Sequence, residues 1–199
     1  SNPPNFMERL KDKSIIVTGS CTGIGKAIAK RCVEEGAKVV IHGLEEEWGK
    51  ELVEELGPDN ATLLIEDLGT EDCPKHLVNL AVEKFGKLDA IVNNAAIVAS
   101  GNIYDTEPED FRRIFEINTL APYRLIRAAL LELEKTMGCV LNIGSVNAWC
   151  GEPNLMAYSV SKGGLMTMTR NLGDTLMREH GVRVNQINPG WVLTENEAA

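Results

Sequence analysis

The stretch Thr18-Gly19-Ser20-Cys21-Thr22-Gly23-Ile24-Gly25 decides the fold, because it joins a strand pattern to a helical pattern. An apolar run at 14–17 precedes it, and a helical pattern follows from residue 24. Glycine permits a tight turn and lets a ligand approach the backbone closely. The start of the helix then offers unpaired N–H groups and the positive end of the helix dipole to an anion. The stretch predicts a seat for a phosphate group; on this motif alone, a plain strand-to-helix turn remains the alternative.

Composition is typical of a soluble globular protein. The chain has 199 residues, of which 44% are hydrophobic and 25% charged, and we expect one domain over residues 1–199. The formal net charge of −9 argues against a nucleic-acid partner or an anionic membrane surface, since both attract clustered cations. No apolar run approaches the ~20 residues of a membrane-spanning helix. We therefore expect neither nucleic acid nor a membrane as a partner.

The cysteines and histidines indicate a reducing compartment and no metal site. Five cysteines are scattered along the chain without a C-x-x-C pair. This pattern is typical of free thiols in the cytosol, and we expect a cytoplasmic protein. The three histidines, His42, His76 and His180, lack the spacing of metal ligands, so a zinc site is not expected.

Short apolar runs alternate with longer helical patterns along the whole chain. The predicted strands are 14–18, 38–42, 61–65, 88–93, 138–145 and 182–187, and the predicted helices are 24–36, 45–56, 71–85, 107–135 and 155–180. This alternation predicts an α/β fold with a doubly wound parallel sheet, a Rossmann fold with three α/β/α layers. In such a fold the ligand lies across the carboxyl ends of the strands.

Tyr158 and Lys162 form a second informative pair. They are four residues apart in a predicted helix, so they share one face about one turn apart. A lysine beside a phenol favours the phenolate, and we expect it to lower the pKa of Tyr158 from its ordinary ~10. Tyr158 would then exchange a proton near neutral pH. A surface Tyr–Lys pair is the alternative when the motif is taken alone.

Six motifs follow one another in a fixed order. They are T-G-x-x-x-G-x-G at 18–25, N-N-A at 93–95, Asn118, Ser145, Y-x-x-x-K at 158–162 and P-G-x-x-x-T at 189–194. With these motifs the sequence closely resembles the short-chain dehydrogenase/reductase family from about residue 11 to residue 194. The resemblance implies an NAD(P)-dependent oxidoreductase that interconverts a secondary alcohol and a ketone.

The resemblance also implies a role for each catalytic residue. Tyr158 would transfer the proton to or from the substrate oxygen, and Ser145 would hold that oxygen. Lys162 would bind the nicotinamide ribose and tune Tyr158. Asn118 would hold a water in a proton relay to Lys162; a helix-kinking or capping asparagine is the alternative.

Cofactor contacts are implied after every strand except the fifth, and at Tyr158 and Lys162. The glycine turn would surround the pyrophosphate, Asp67 would accept a hydrogen bond from the adenine amino group, and Thr194 would contact the carboxamide. The implied cofactor-binding residues are Gly19, Cys21, Thr22, Gly23, Ile24, Gly25, Gly43, Leu44, Asp67, Leu68, Asn93, Ala95, Tyr158, Lys162, Pro189, Gly190 and Thr194.

The choice between NAD and NADP depends on charge near the end of the second strand. Family members that use NAD usually carry an acid there, whereas those that use NADP carry Arg or Lys there or in the glycine turn. Gly43, Leu44 and Thr22 supply neither charge. The acidic run 45–47 follows directly and would repel a 2′-phosphate, although acids are also favoured in the first turn of any helix. We therefore expect NAD, with NADP as the alternative.

The substrate is predicted from the residues after the last two strands. Asn147, Trp149, Glu152 and Trp191 are expected to face the pocket, and this mixture suits a sugar, a polyol or another small hydroxylated molecule. The alternatives are a 3-oxoacyl thioester reductase and a non-catalytic nucleotide-binding protein on the same fold.

The resemblance also bears on assembly and on the C-terminal part of the fold. The resemblance implies a homotetramer or homodimer formed through the long helices at 107–135 and 155–180. Because family members usually continue for several dozen residues past the threonine at position 194, we expect a six-stranded sheet that lacks the C-terminal lid and the last strand.

Overall fold

Residues 8–192 are described by the computed structural model, and within them six strands form one parallel sheet. The strands are β1 (Ser14–Val17), β2 (Lys38–Gly43), β3 (Ala61–Ile65), β4 (Ala90–Asn93), β5 (Cys139–Ile143) and β6 (Arg183–Ile187). The helices are α1 (Gly23–Glu34), α2 (Glu46–Leu56), α3 (Cys73–Phe85), α4 (Pro108–Phe115), α5 (Ala121–Thr136), α6 (Asn147–Cys150) and α7 (Met156–His180). Within this range, no helix is both long and apolar enough to cross a membrane.

The strand order is β3-β2-β1-β4-β5-β6, and every neighbouring pair is parallel. The chain runs outward from β1 to β3, then returns to place β4 on the other side of β1. This reversal leaves a crevice at the carboxyl ends of β1 and β4, which is where doubly wound folds bind ligands. The predicted Rossmann fold is confirmed.

The two faces of the sheet bury separate hydrophobic clusters. Ile16 of β1 belongs to the cluster beneath α3 and α5, whereas Ile15 and Val17 belong to the cluster beneath α1 and α2. The alternation arises because successive side chains of a strand point to opposite faces. The apolar runs in β1 and β2 are therefore buried on both sides, as parallel strands between two helical layers require.

The predicted helix over 107–135 is interrupted in its middle. A π-helical segment, Glu116–Leu120, separates α4 from α5, and the N–H of Ala121 bonds to the carbonyl of Glu116, five residues earlier. Pro122 contributes to this irregularity because it has no N–H to continue an α-helical ladder. Such π segments are frequent at functional sites.

The segment after β5 also differs from the prediction. The strand ends at Ile143, two residues before the predicted limit at 145, and the short helix α6 follows it. Ser145 therefore lies in the turn that leaves the sheet. This places its side chain at the carboxyl edge, beside the start of α7.

Candidate active site

A cleft of about 490 Å³ runs along the carboxyl edge of the sheet. Segments that follow all six strands contribute to its walls, together with the first turns of α7. The predicted site residues that line it are Gly19, Thr22, Gly23, Ile24, Gly43, Leu44, Asp67, Leu68, Ala95, Ser145, Tyr158, Lys162, Pro189 and Gly190. Thr194 lies outside the described residues.

The middle of the cleft is held by a seam of hydrogen bonds between the ends of β1 and β4. The side-chain amide of Asn94 donates to the carbonyl oxygens of Thr18 and Gly19, each at 3.0 Å. In return, Thr18 Oγ1 accepts the backbone N–H groups of Asn94 and Ala95, also at 3.0 Å. The seam fixes the glycine turn against the neighbouring strand at the point where the sheet order reverses.

The glycine turn is packed too tightly for larger residues. Gly19 has φ +59°, which L-residues with side chains rarely adopt, and an added Cβ would lie 2.8 Å from the Cα of Ala95. An added Cβ on Gly25 would overlap the carbonyl of Gly19 and the amide of Asn94. Gly25 therefore lies behind the cleft wall and lets α1 begin directly at the turn. The resulting cradle fits a pyrophosphate at the helix N-terminus.

The end of the cleft formed by the turn after β3 carries a fixed carboxylate. Asp67 accepts the N–H of Gly69 at 2.8 Å and the guanidinium of Arg113 at 2.7 Å. Partial burial raises the pKa of the Asp67 carboxyl, but these two donors outweigh it and hold that pKa below its usual value. Asp67 is therefore ionised at neutral pH and retains acceptor capacity toward the cleft.

Lys162 is the most deeply buried cation in the cleft wall, with 2% of its surface exposed. Its Nζ donates to the carbonyl oxygen of Ile143 at 2.7 Å and lies 5.7 Å from the ring centre of Tyr158. Burial lowers the pKa of Lys162 to about 8, so the ammonium form still predominates at neutral pH. The bond to Ile143 ties α7 to the end of β5, beside Ser145.

Tyr158 does not have the lowered pKa that the sequence predicts. Burial raises the pKa of its phenol, and the hydrogen bond with Ser145 acts in the opposite direction without cancelling the effect. The Lys162 ammonium bonds to a backbone carbonyl rather than to the phenol. Ser145 Oγ accepts the N–H of Asn147 at 3.1 Å, which leaves its hydroxyl proton for the Tyr158 oxygen or for the oxygen of a molecule bound in the cleft.

The cleft thus carries a phosphate cradle at its middle and a Ser–Tyr–Lys group at one end. A family model described as short chain dehydrogenase matches residues 13–199. The chain belongs to the short-chain dehydrogenase/reductase family.

Relatives and a solved structure agree with this assignment. The NADP-dependent (R)-specific alcohol dehydrogenase of Lentilactobacillus kefiri is 34% identical over 94% of this chain and 76% of its own length. The L-fucose dehydrogenase of Mus musculus is 37% identical over 94% of this chain and 67% of its own length. The 3-ketoacyl-(acyl-carrier-protein) reductase from Brucella melitensis, solved with NADH, matches with a TM-score of 0.89 at 31% identity, covering 95% of this chain and 80% of that one. This short-chain dehydrogenase/reductase is an NAD(P)-dependent oxidoreductase.

Asn118 lies behind the cleft rather than on its surface. Its side chain accepts the N–H of Ile97 at 2.8 Å and donates to the Ile97 carbonyl at 2.9 Å and to Ser161 Oγ at 3.0 Å. It therefore joins the segment after β4 to α7. The backbone carbonyl of Asn118 cannot receive the usual helical bond from four residues ahead, because that residue is Pro122.

Two other predicted cofactor contacts also lie behind the wall. The Cys21 thiol is buried beside Gly43 and Gly49, and burial raises its pKa to about 11. The Asn93 amide is buried and donates to Asn142 Oδ1 of β5 at 2.8 Å. Both residues shape the wall through packing, since neither side chain reaches the cleft.

Only some of the residues predicted to face the substrate line the cleft. Asn147 and Trp191 line the cleft, and Trp191 is 90% exposed. Trp149 and Glu152 do not line it. The ring of Trp149 instead lies beneath the Arg170 guanidinium, 5.1 Å from its centre, so it is held against α7.

The structure adds three residues that the sequence analysis does not single out. Asn94 forms the seam, Arg113 fixes Asp67, and His42 lines the cleft beneath the glycine turn. Asn94 was detectable within the N-N-A motif, and His42 as a histidine that ends an apolar strand. Arg113 carries no local signal, because its partner is remote in sequence. Within residues 8–192, no group of three metal-ligating side chains is present.

Replacing Lys162 by methionine tests the cost of burying the ammonium. The folded pKa of about 8 lies below the ordinary 10.5, so between these values the unfolded chain binds more protons than the folded chain. The wild type should therefore gain unfolding free energy relative to Lys162→Met as pH rises from 8 to 10.5, by up to about 3 kcal/mol. Urea denaturation at several pH values measures this difference.

The control is Lys135→Met, since the side chain of Lys135 is mainly exposed. The difference in unfolding free energy between Lys135→Met and the wild type should change little with pH. If the gain in unfolding free energy of the wild type over Lys162→Met is absent between pH 8 and 10.5, the claim that burial lowers the pKa of the ammonium is wrong.

Proposed function

We propose that this protein interconverts a secondary alcohol and a ketone of a small hydroxylated molecule, a sugar or a polyol, with NAD as its preferred cofactor. The observation that carries the proposal is the meeting of Ser145, Tyr158 and Lys162 at one end of a cleft whose middle is a phosphate cradle. A non-catalytic nucleotide-binding protein would have no need of this group. We also propose that residues 1–199 form one domain.

The cleft residues fit a dinucleotide. The glycine turn and the start of α1 would hold the pyrophosphate. Asp67 would accept a hydrogen bond from the adenine amino group, and Lys162 would bind the nicotinamide ribose. Pro189 and Gly190 line the same end as Tyr158 and would shape the nicotinamide site. A bound nicotinamide supplies or accepts the hydride.

The protein's own residues would handle the proton. Ser145, oriented by the Asn147 N–H, would donate a hydrogen bond to the substrate oxygen. Tyr158 would give its hydroxyl proton to that oxygen during reduction and take it back during oxidation. The Lys162 ammonium would stabilise the phenolate while it persists, since opposite charges attract more strongly in a buried site. The backbone carbonyl of Asn118, which cannot accept a bond from Pro122, would hold the water that returns the proton.

The preference for NAD rests on Glu45. Its carboxylate accepts the N–H of Leu44 at 3.1 Å and lies over Gly43, at the cleft end formed by β2. There it would accept ribose hydroxyls and repel a 2′-phosphate. The Brucella reductase was solved with NADH, whereas the Lentilactobacillus relative is NADP-dependent, so relatives of both kinds exist.

The substrate end supports a small hydroxylated molecule. Asn147 offers an amide for a hydroxyl group, and the exposed ring of Trp191 offers an apolar face for the carbon side of a sugar. The relative named L-fucose dehydrogenase acts on a sugar by its name. The alternative, 3-oxoacyl thioester reduction, is favoured by the structural match to the Brucella enzyme. However, the basic residues described along the cleft are Arg113 and Lys162, and both are engaged within the chain rather than free for an acidic carrier.

We further propose a cytoplasmic homotetramer or homodimer. The five cysteines are all free thiols, which suits a reducing compartment. Apolar side chains remain exposed on the helices expected to form the interface, including Tyr123 of α5 and Val160 of α7. Sedimentation of the purified protein measures the assembly.

Changing Tyr158 to phenylalanine tests the mechanism. Because the hydroxyl proton is lost while the ring is kept, turnover should fall at least about 100-fold while NAD binding stays within a few-fold of the wild type. Nicotinamide absorbance measures turnover across a panel of polyols, sugars and ketones. Tyr104→Phe is the control, since Tyr104 is exposed and away from the cleft, and it should be fully active. Near-normal turnover by Tyr158→Phe would reject the mechanism.

The cofactor preference has its own test. The wild type should show a higher kcat/KM with NAD(H) than with NADP(H). Glu45→Gln should lower the ratio of these two kcat/KM values about 10-fold, because it removes the repulsion between the carboxylate and the 2′-phosphate. Glu47→Gln is the matched control, because Glu47 does not line the cleft. A wild type that prefers NADP(H), or a ratio unchanged in Glu45→Gln, would contradict the role of Glu45.

A further inference from the structure

We propose that His42 is a positioning residue that locks the glycine turn after β1 to the acidic turn after β3, and that protonation of its ring releases this lock and weakens cofactor binding. The inference rests on the cofactor placement proposed above. It concerns a residue that neither the motifs nor the catalytic group includes.

His42 lies between the two turns that would hold the cofactor's pyrophosphate and adenine. Its Nδ1 accepts the N–H of Gly19 at 3.3 Å, and its Nε2 lies 2.9 Å from the carbonyl oxygen of Glu66, to which it donates. The residue is 2% exposed but lines the cleft. Because one nitrogen must accept and the other must donate, the neutral ring protonated on Nε2 is the form that satisfies both contacts.

The backbone of His42 is attached to the same turn. Its carbonyl accepts the N–H of Ser20 at 2.7 Å, and its own N–H donates to Ser20 Oγ at 3.0 Å. The hydroxyl of Ser20 then donates to the Val17 carbonyl at 2.6 Å. The end of β2 is thus bonded to the glycine turn at three points, one through the imidazole and two through the backbone of His42.

A second proton on the ring would break this arrangement. With Nδ1 protonated, two N–H groups would face each other at Gly19, whose φ of +59° depends on the packing of the turn. The buried N–H of Gly19 would then have no acceptor, and the glycine turn would shift relative to Asp67. Since both turns would contact one cofactor molecule, a shift of either weakens binding.

The surroundings of His42 determine the pH at which its ring gains the second proton. Its neighbours are Glu45 before α2, Glu66 and Asp67 after β3, and the Cys73 thiol of α3 at 3.8 Å from Nε2. Burial lowers the pKa of His42 and outweighs the opposing effect of the acids, so the pKa lies below its ordinary 6.5. The lock is therefore complete at neutral pH and is lost as pH falls through this lowered pKa.

The test is isothermal titration of the purified protein with NAD⁺, and with NADP⁺ in parallel, at several pH values from 8 to 5.5. The wild type should bind NAD⁺ progressively more weakly as pH falls from 7.5 through the lowered pKa of His42. His42→Asn retains a short acceptor for Gly19 but cannot titrate, so it should lose this pH dependence and bind about 2- to 10-fold more weakly at pH 7.5, as expected for one lost hydrogen bond. His42→Leu should bind more weakly still.

The control variants are His76→Asn and His180→Asn, which remove the other two histidines. His76 contacts the Glu66 side chain at 2.8 Å but is largely exposed, so it matches His42 in location and differs in burial. Both controls should keep the pH dependence of the wild type. If one of the two His42 variants fails to fold, the other decides the question together with the wild type and these controls.

Three results overturn the inference. The first is a wild type whose affinity for NAD⁺ does not fall as pH falls. The second is a His42→Asn variant with the affinity and pH dependence of the wild type. The third is a pH dependence that disappears in His76→Asn or His180→Asn. Failure of the wild type to bind either nicotinamide cofactor at any pH would overturn the proposed cofactor site itself, and the inference with it.

Discussion

The structure depends on the hydrogen-bonded seam between Thr18 and Asn94. β1 and β4 are neighbours in the sheet, but the chain leaves them toward opposite sides, so a crevice opens between their ends. Four bonds of 3.0 Å cross this gap and bring Gly19 so close to Ala95 that a Cβ does not fit. The same approach lets α1 start at the turn, with its N–H groups facing the cleft. The phosphate cradle follows from how tightly two strand ends are joined.

The end of the cleft that holds Tyr158 depends on a second constraint, the burial of Lys162. An ammonium group in the protein interior is unfavourable unless it is hydrogen-bonded, and here the Ile143 carbonyl provides the acceptor. This bond fixes α7 at the end of β5, where Ser145 leaves the sheet and Tyr158 is one helical turn away. The lowered pKa of Lys162 shows that the folded protein bears part of the desolvation cost. A methionine would avoid that cost, so the cost supports the roles proposed above for the charge of Lys162.

The sequence predicts the sheet well and the details of the cleft less well. Strand runs such as 15–17 and 39–41 are apolar throughout because both faces are buried, so local composition is sufficient to locate them. Asn118 could be identified by its motif, but its bonds to Ile97 and Ser161 and the π segment around it come from tertiary contacts. The choice between Asn93 and Asn94 as the cleft residue depends on which side chain turns toward β1, which no pattern shows. The raised pKa of Tyr158 was missed because burial is a property of the folded chain.

The central claim is that this fold brings a nicotinamide and a substrate carbonyl together beside Tyr158, so that the carbon receives a hydride and the oxygen receives a proton. The most direct measurement is the reduction of a ketone or sugar substrate with NADH carrying deuterium at both positions of carbon 4 of the nicotinamide, in ordinary water, followed by mass spectrometry of the product. The account predicts one deuterium on the carbinol carbon of the alcohol. A reduced product that carries no deuterium on that carbon would contradict it.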